Sequence, residues 1–145
     1  MAIADHSSVI EQVTPILQAP EYGEVLALDP HSFDAATLTN DAAGRFHGFH
    51  ILGRTDLRDR AEAAAVGELA LESIFPWGDW RCVFVPRHAL RLHRGDRSVD
   101  LVICFECGEV LVRPSPAYRG RIGYRRDGKT QLNAILERAG IKPAD

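Results

Sequence analysis

Two alternating runs around Gly95-Asp96 constrain the fold of this chain more than any other feature. The runs cover residues 88–93 (HALRLH) and 98–106 (SVDLVICFE), and apolar residues alternate with others along both of them. Alternation with a period of two is typical of strands that bury one face, and a Gly-Asp pair between two such runs indicates a tight turn. The sequence therefore predicts a β-hairpin here, and with it an antiparallel sheet.

The register of this hairpin follows from its apolar residues. Because successive side chains of a strand point to opposite faces, both apolar sets reach the core only if the numbers of paired residues add up to an odd value. That register places His88 opposite Ile103, on the core face. It places Cys104 opposite Arg87, on the other face.

Helical patterns lie on both sides of the hairpin. A helix near the start of the chain meets Pro15, which must bend, end or restart it. A second helix is capped by Thr55 or Asp56 and runs to about Phe75. The closing helix ends at Gly140, which stands where a left-handed C-cap is needed.

The remaining strand signals complete an α+β pattern. Residues 24–28, 45–52 and 80–85 have strand composition, and residues 121–124 are a further short candidate. We therefore expect a single α+β domain over residues 1–145. Its single antiparallel sheet is hairpin-rich, has about five strands, carries helices on one face and is followed by a C-terminal helix.

Composition narrows the class of protein. The 145 residues are 46% apolar and 26% charged, as in an ordinary globular domain. No run of about 18 apolar residues is present, and the first residues lack the pattern of a signal peptide. The cytoplasm is the expected compartment, and the three cysteines are expected to be reduced.

Catalytic motifs are absent from the sequence. The six histidines form no H-E-x-x-H pattern, no G-x-S-x-G elbow exists, and no carboxylate pair has a telling spacing. We therefore expect no enzymatic activity and no cofactor.

Three cysteines and one histidine form a loose zinc pattern. Cys104-x-x-Cys107 is followed by glycine, as in a tight zinc half-site, while Cys82 and His88 supply two further ligand types. The predicted register opposes this set, because His88 and Cys104 face opposite sides and Cys107 lies roughly 13 Å along the ladder from the His88 pair. Zinc held by Cys82, His88, Cys104 and Cys107 remains an alternative to buried strand cysteines.

Charge is divided between the two halves of the chain. Residues 1–80 hold 13 acidic and 4 basic residues, whereas residues 81–145 hold 7 acidic and 13 basic residues. The two halves either neutralise each other or offer an acidic surface to a basic partner. Arginines are also interspersed with tyrosines from Tyr118 to Arg126. The segment from Arg119 to Lys129 is therefore a weaker candidate for binding nucleic acid.

Two motifs resemble a group of small bacterial proteins of unassigned function. Residues 86–88 (PRH) followed by alanine, and residues 100–107 (DLVICFEC), are similar to the PRHG and DLVICFxC stretches of that group, although alanine replaces the usual glycine. The resemblance implies an α+β fold and no activity. It also implies that the hairpin can present a ligand or partner surface with Arg87, His88 and Glu106 as its polar members. Arg87 and Glu106 can equally be ordinary cross-strand neighbours.

A non-catalytic binding protein is the function that these observations favour. We expect a protein partner, as for an immunity or inhibitor protein whose acidic half meets a basic target. The alternatives are a small zinc protein and, more weakly, a nucleic-acid-binding protein.

Overall fold

A computed structural model of the chain describes residues 6–35, 44–76, 82–113 and 122–145. These residues form an α+β fold with one open antiparallel sheet, which confirms the predicted class. The helices are α1 (His6–Gln18), α2 (Arg60–Ser73) and α3 (Lys129–Arg138). The strands are β1 (Tyr22–Phe33), β2 (Arg45–Phe46), β3 (Phe49–Asp56), β4 (Ile74–Phe75), β5 (His88–Arg94), β6 (Arg97–Cys104), β7 (Glu109–Arg113) and β8 (Ile122–Tyr124). Within the described ranges, no helix is both long and apolar enough to cross a membrane.

The expected number of about five strands is wrong, because the sheet has eight in the order β2-β3-β1-β5-β6-β7-β8-β4. Residues 45–52, expected as one strand, turn at His47-Gly48, so that β2 and β3 form a short hairpin. Ile74 and Phe75, expected at the end of a helix, form β4 and pair with β8. Residues 82–85, expected in a strand, are outside the sheet. Two-residue edge strands have too little periodicity to be read from sequence.

The predicted register of the central hairpin is confirmed. His88 lies opposite Ile103, and Leu90 lies opposite Leu101, around a two-residue turn at Gly95 and Asp96. Gly95 has a φ of +61°, a conformation that glycine adopts without the steric cost of a Cβ atom. The β6–β7 hairpin follows with a four-residue turn, residues 105–108, closed by Cys104 opposite Glu109.

The helices pack on one face of the sheet, as predicted. Apolar side chains from α1, α2 and α3 share one core cluster with every second residue of β5 and β6. A smaller cluster lies on the opposite face, which we call the outer face. It contains Leu26, Leu28, Phe46, Phe49, Ala89 and Val102, with Ile51, Phe84 and Leu111 packed against it.

The second helix begins later than predicted. β3 continues to Asp56, and Asp59 caps α2 by accepting a hydrogen bond from the backbone N–H of Glu62 at 2.8 Å. Thr55 and Asp56 have the residue types of a cap, but pairing with β1 holds them in the sheet. Tertiary pairing therefore outweighs a local capping signal at this boundary.

The expectation of three reduced cysteines is also corrected. Cys82 and Cys107 form a disulfide, and Cys104 is the free cysteine among the described residues. The two bonded cysteines are 25 residues apart in sequence, with Cα atoms separated by 5.7 Å. Sequence spacing does not reveal this approach, because it depends on where the non-strand segment at residue 82 meets the β6–β7 turn.

Candidate binding site on the outer face of the sheet

A row of alternating charges crosses four neighbouring strands. Glu24 of β1 lies opposite Arg91 of β5, Arg91 lies opposite Asp100 of β6, and Asp100 lies opposite Arg113 of β7. All four residues share the side-chain parity of Leu26 and Val102 and therefore lie on the outer face. Opposite charges on adjacent strands stabilise a sheet, so most of this row has a structural explanation.

Asp100 accepts most of the hydrogen bonds within this row of charges. Arg91 donates two hydrogen bonds to its carboxylate, each of 2.8 Å, and His47 Nε2 lies 2.7 Å from Oδ2. Burial raises the pKa of Asp100, but the hydrogen bonds from Arg91 and His47 outweigh it and hold that pKa below its usual value. The Arg91 guanidinium also lies 4.9 Å from the centroid of the Phe46 ring, within range of a cation–π contact. Both Asp100 oxygens are therefore engaged inside the protein.

The turn between β2 and β3 places the His47 side chain beside Asp100. His47 has a φ of +47° and Gly48 a φ of +92°, the combination that a tight type I′ turn requires. A non-glycine residue in the left-handed region carries a steric cost of about 1 kcal/mol. The hydrogen bond to Asp100 and the edge contact with Phe46 offset that cost.

Arg113 is the last charged residue of the row. Among the residues that the structure describes, no carboxylate pairs with it, and its side chain donates a hydrogen bond to the Val112 carbonyl at 3.2 Å. Burial lowers the pKa of Arg113, because removal from water disfavours the charged form. A partly buried guanidinium remains charged and favours an anion beside it.

The Arg113 side chain lines a cavity of about 390 Å³ on the outer face. That volume lies within the range of about 300 to 1,000 Å³ that is usual for ligand pockets. Its other walls are mainly apolar and aromatic: Pro30, Phe33, His47, Phe49, Phe84 and Leu111. One wall residue also reaches the surface, because Phe33 is 50% exposed. We call this cavity with Arg113 the aromatic pocket.

The structure separates the residues of the expected partner surface. Arg87 and Glu106 form an ion pair of 3.0 Å, and the Arg87 guanidinium also donates to the Asp145 and Val85 carbonyls. Most hydrogen-bond donors of the Arg87 guanidinium are therefore already bonded within the chain. His88 lies on the helix face and is 1% exposed.

His88 belongs to the core. Its Nε2 atom lies 2.6 Å from the Asn133 side-chain oxygen of α3, and Phe105 packs edge-on against its ring. Burial lowers the pKa of His88, and the charges of Lys129 and Arg87 act in the same direction, whereas the Asn133 bond opposes them. A neutral ring that donates to Asn133 fits this environment.

The four expected zinc ligands lie at three separate places in the structure. Cys82 and Cys107 are bonded to each other, and Cys104 is a fully buried thiol whose sulfur accepts the Cys107 N–H at 3.3 Å. His88 lies on the opposite face of the sheet. A different set does converge, because one ligand atom from each of Cys82, Cys107 and Glu109 lies within 4.8 Å of the other two.

The Arg-rich segment is described only from residue 122 onward, so Arg119 and Arg121 lie outside the described residues. Within the described part, Arg126 donates to the Phe105 and Glu106 carbonyls at 2.7 Å each and supports the β6–β7 turn. Lys129 is exposed at the first turn of α3. One of these cations therefore has a structural role.

Sequence reasoning missed the aromatic pocket. Its residues come from β1, β3, β7, the turn at residue 47 and the segment at residue 84, which are far apart along the chain. In the sequence, Arg113 has no neighbours that distinguish it from an ordinary surface arginine at the end of a strand. Only the order of the strands places aromatic side chains beside it.

Comparison with family models, curated proteins and solved structures yields no match for this chain.

Proposed function

We propose that this chain is a non-catalytic binding protein that engages a protein partner through the aromatic pocket. Arg113 carries the proposal, because it is a partly buried cation in an aromatic cavity with no carboxylate partner among the described residues. Arginine and aromatic residues are enriched at the centres of protein interfaces, where they supply most of the binding energy. The matching group is a carboxylate beside an aromatic or large apolar side chain.

A protein supplies this combination more readily than a small molecule. Phe33 lines the cavity and is 50% exposed, so the apolar surface of the pocket opens to solvent, as at the edge of a larger interface. An acidic residue next to an apolar one in a partner segment would place its carboxylate on Arg113 and its apolar side chain among Phe49 and Phe84. An immunity or inhibitor protein of the bacterial cytoplasm is the concrete form that we propose.

The acidic half of the chain contributes less to this proposal than its composition suggests. Glu62 is bonded to Arg138 and Arg58, Glu21 to Arg60, and Glu24 to Arg54. These acids are neutralised within the protein, partly by the basic half. We therefore propose that the partner contributes the acidic group rather than the basic one.

A peptide library displayed on phage tests the proposal. The wild-type chain serves as bait, and Arg113→Gln serves as the bait for counter-selection. We expect enriched peptides to carry Asp or Glu within two residues of an aromatic or large apolar residue, and to bind Arg113→Gln at least about tenfold more weakly, as for a lost charged hot spot.

Arg125→Gln is the matched control, because Arg125 is exposed and lies outside the pocket. It should bind the enriched peptides as the wild type does. Equal enrichment on the wild type and on Arg113→Gln would contradict the pocket. Tighter binding of phenylacetate than of any enriched peptide would replace the protein partner with a small aromatic acid.

Two alternatives remain with less support. Nucleic-acid binding through residues 119–129 predicts an affinity that falls steeply with salt. Zinc binding by the set expected from the sequence needs His88. That side chain is hydrogen-bonded to Asn133 on the face of the sheet that the helices cover. The convergence of Cys82, Cys107 and Glu109 favours a zinc site of a different composition.

A further inference from the structure

Two sulfurs and a carboxylate converge at the end of the β6–β7 hairpin. Cys82, Cys107 and Glu109 each place one ligand atom within 4.8 Å of the other two. Glu109 is 0% exposed, and the main chain beside Cys107 is shaped by Gly108, whose φ is +68°. Thiolate sulfur and carboxylate oxygen are both common ligands of zinc.

We propose that reduction of the Cys82–Cys107 disulfide converts this corner into a Zn²⁺ site. The ligands are Cys82 Sγ, Cys107 Sγ and one carboxylate oxygen of Glu109, and water takes the fourth position of a tetrahedral site. The disulfide and the zinc complex are then two states of the same pair of cysteines.

The redox chemistry of this exchange is balanced. A dithiol reductant gives two electrons and two protons to the disulfide and becomes a disulfide itself, which leaves two protein thiols. Each thiol releases its proton when its sulfur binds the metal. In the reverse direction, hydrogen peroxide takes two electrons from the two thiolates and, with two protons, forms two water molecules. The disulfide re-forms and Zn²⁺ leaves.

The backbone geometry suits both states. Zinc–sulfur bonds of about 2.3 Å in a tetrahedral site set two sulfurs roughly 3.8 Å apart. The Cα atoms of Cys82 and Cys107 are 5.7 Å apart, so rotation of the side chains can give this separation without moving the strands. In a reducing compartment, such as the cytoplasm proposed above, the dithiol form is the relevant one.

Cys104 is not a member of this ligand set. Its sulfur accepts a hydrogen bond from the Cys107 N–H at 3.3 Å, and the residue is fully buried at the end of β6. It is therefore the matched control, because it is a third cysteine, three residues from Cys107, that the site does not require.

Thermal unfolding with and without zinc tests the proposal in the folded state. Wild type, Cys82→Ser, Cys104→Ala and Glu109→Gln are treated with a phosphine reductant, and ZnCl₂ is added at one equivalent. We expect zinc to raise the Tm of reduced wild type and Cys104→Ala, because a ligand that binds the folded state stabilises it. Neither reduced Cys82→Ser nor the oxidised wild type should respond.

Cobalt substitution supplies a second measurement that reports ligand type. Reduced wild type and Cys104→Ala should bind one Co²⁺ with a sulfur-to-cobalt charge-transfer band, and Glu109→Gln should bind it at least about tenfold more weakly. Loss of both signals in Cys104→Ala would assign the metal to the Cys104–Cys107 pair and overturn the proposal. An unchanged Tm of folded, reduced wild type on zinc addition would also overturn it.

Discussion

At the scale of single residues, the decisive contrast is between Asp100 and Arg113. They are directly opposed on β6 and β7, yet no ion pair joins them, because Arg91 and His47 occupy the Asp100 carboxylate. Arg113 is left among aromatic side chains. A partly buried cation among aromatic side chains gains from an anion beside it, and this gain is the physical reason to expect a ligand there.

Glu62 shows the opposite case, a charge that is fully satisfied. Its carboxylate accepts hydrogen bonds from both terminal nitrogens of Arg138, at 2.7 and 2.8 Å, and from the Arg58 N–H and side chain. The hydrogen bond from Arg138 is the largest cause that lowers the pKa of Glu62 to about 2, against the opposing effect of burial. The pair joins the first turn of α2 to the last residue of α3.

The Glu62 contact should make stability depend on acid pH. Because its pKa is lower in the folded state, the unfolded chain takes up the proton first as the pH falls below 4.5. The stabilisation is complete above pH 4.5 and is lost as the pH falls towards 2. We expect Glu62→Gln to lower the unfolding free energy by about 1 kcal/mol at pH 7 and to reduce its decline with acid.

Urea unfolding between pH 3 and pH 7 measures this effect. Glu68→Gln is the control, because Glu68 is an exposed glutamate of the same helix. Parallel pH profiles for Glu62→Gln and the wild type would show that the carboxylate contributes nothing.

At the scale of elements, α1 and α2 cross at Gly67. A Cβ atom at this position would meet the Leu17 carbonyl oxygen and lie 3.0 Å from Pro20 Cγ. Glycine lowers helix propensity by about 1 kcal/mol relative to alanine. The close approach of the two helices therefore explains a residue that weakens α2 by itself. α1 itself continues through Pro15 to Gln18, and Ile16 and Leu17 beyond the proline are buried.

Gly67→Ala should destabilise the protein despite its better helix propensity. We expect a loss of about 1 to 3 kcal/mol, as for other overpacked core positions. Chemical denaturation measures it, and Ala65→Gly at an exposed position of α2 calibrates the propensity difference alone. Stabilisation by Gly67→Ala would mean that the two helices separate freely.

At the scale of the whole molecule, the disulfide links the segment before β5 to the β6–β7 turn. Cys82 is two residues from Phe84, which lines the aromatic pocket, and Cys107 lies in the turn that Arg126 supports. Leu111, which also lines the pocket, is four residues from Cys107, so the redox state of the two cysteines is linked to the shape of the pocket.

Removal of the disulfide should lower the stability of the oxidised protein. For a loop of 25 residues, the entropy of the unfolded chain accounts for about 3.5 kcal/mol. We expect Cys82→Ser to lose about this amount in guanidinium unfolding with a chelator present, whereas Cys104→Ala keeps the difference between oxidised and reduced forms. Equal stability of the oxidised and reduced wild type under these conditions would contradict the disulfide.

Much of the fold was predictable because its signals are local. The Gly95-Asp96 turn and its alternating flanks specify the β5–β6 register, since a slip by one residue would expose the whole apolar set. The end of α3 is specified by Gly140, which has a φ of +75°. The turn that separates β2 from β3 and the strand β4 were missed, because two-residue strands carry no period and β4 pairs with a distant partner.

The sequence by itself determined the α+β class, the central hairpin and the closing helix, since each depends on residues that are neighbours in the chain. Only the tertiary structure decided the site. The strand order sets Glu24, Arg91, Asp100 and Arg113 in one row and assembles the aromatic pocket around its last member. It also joins Cys82 to Cys107 beside Glu109. These arrangements depend on contacts between distant segments, which local patterns of polarity do not encode.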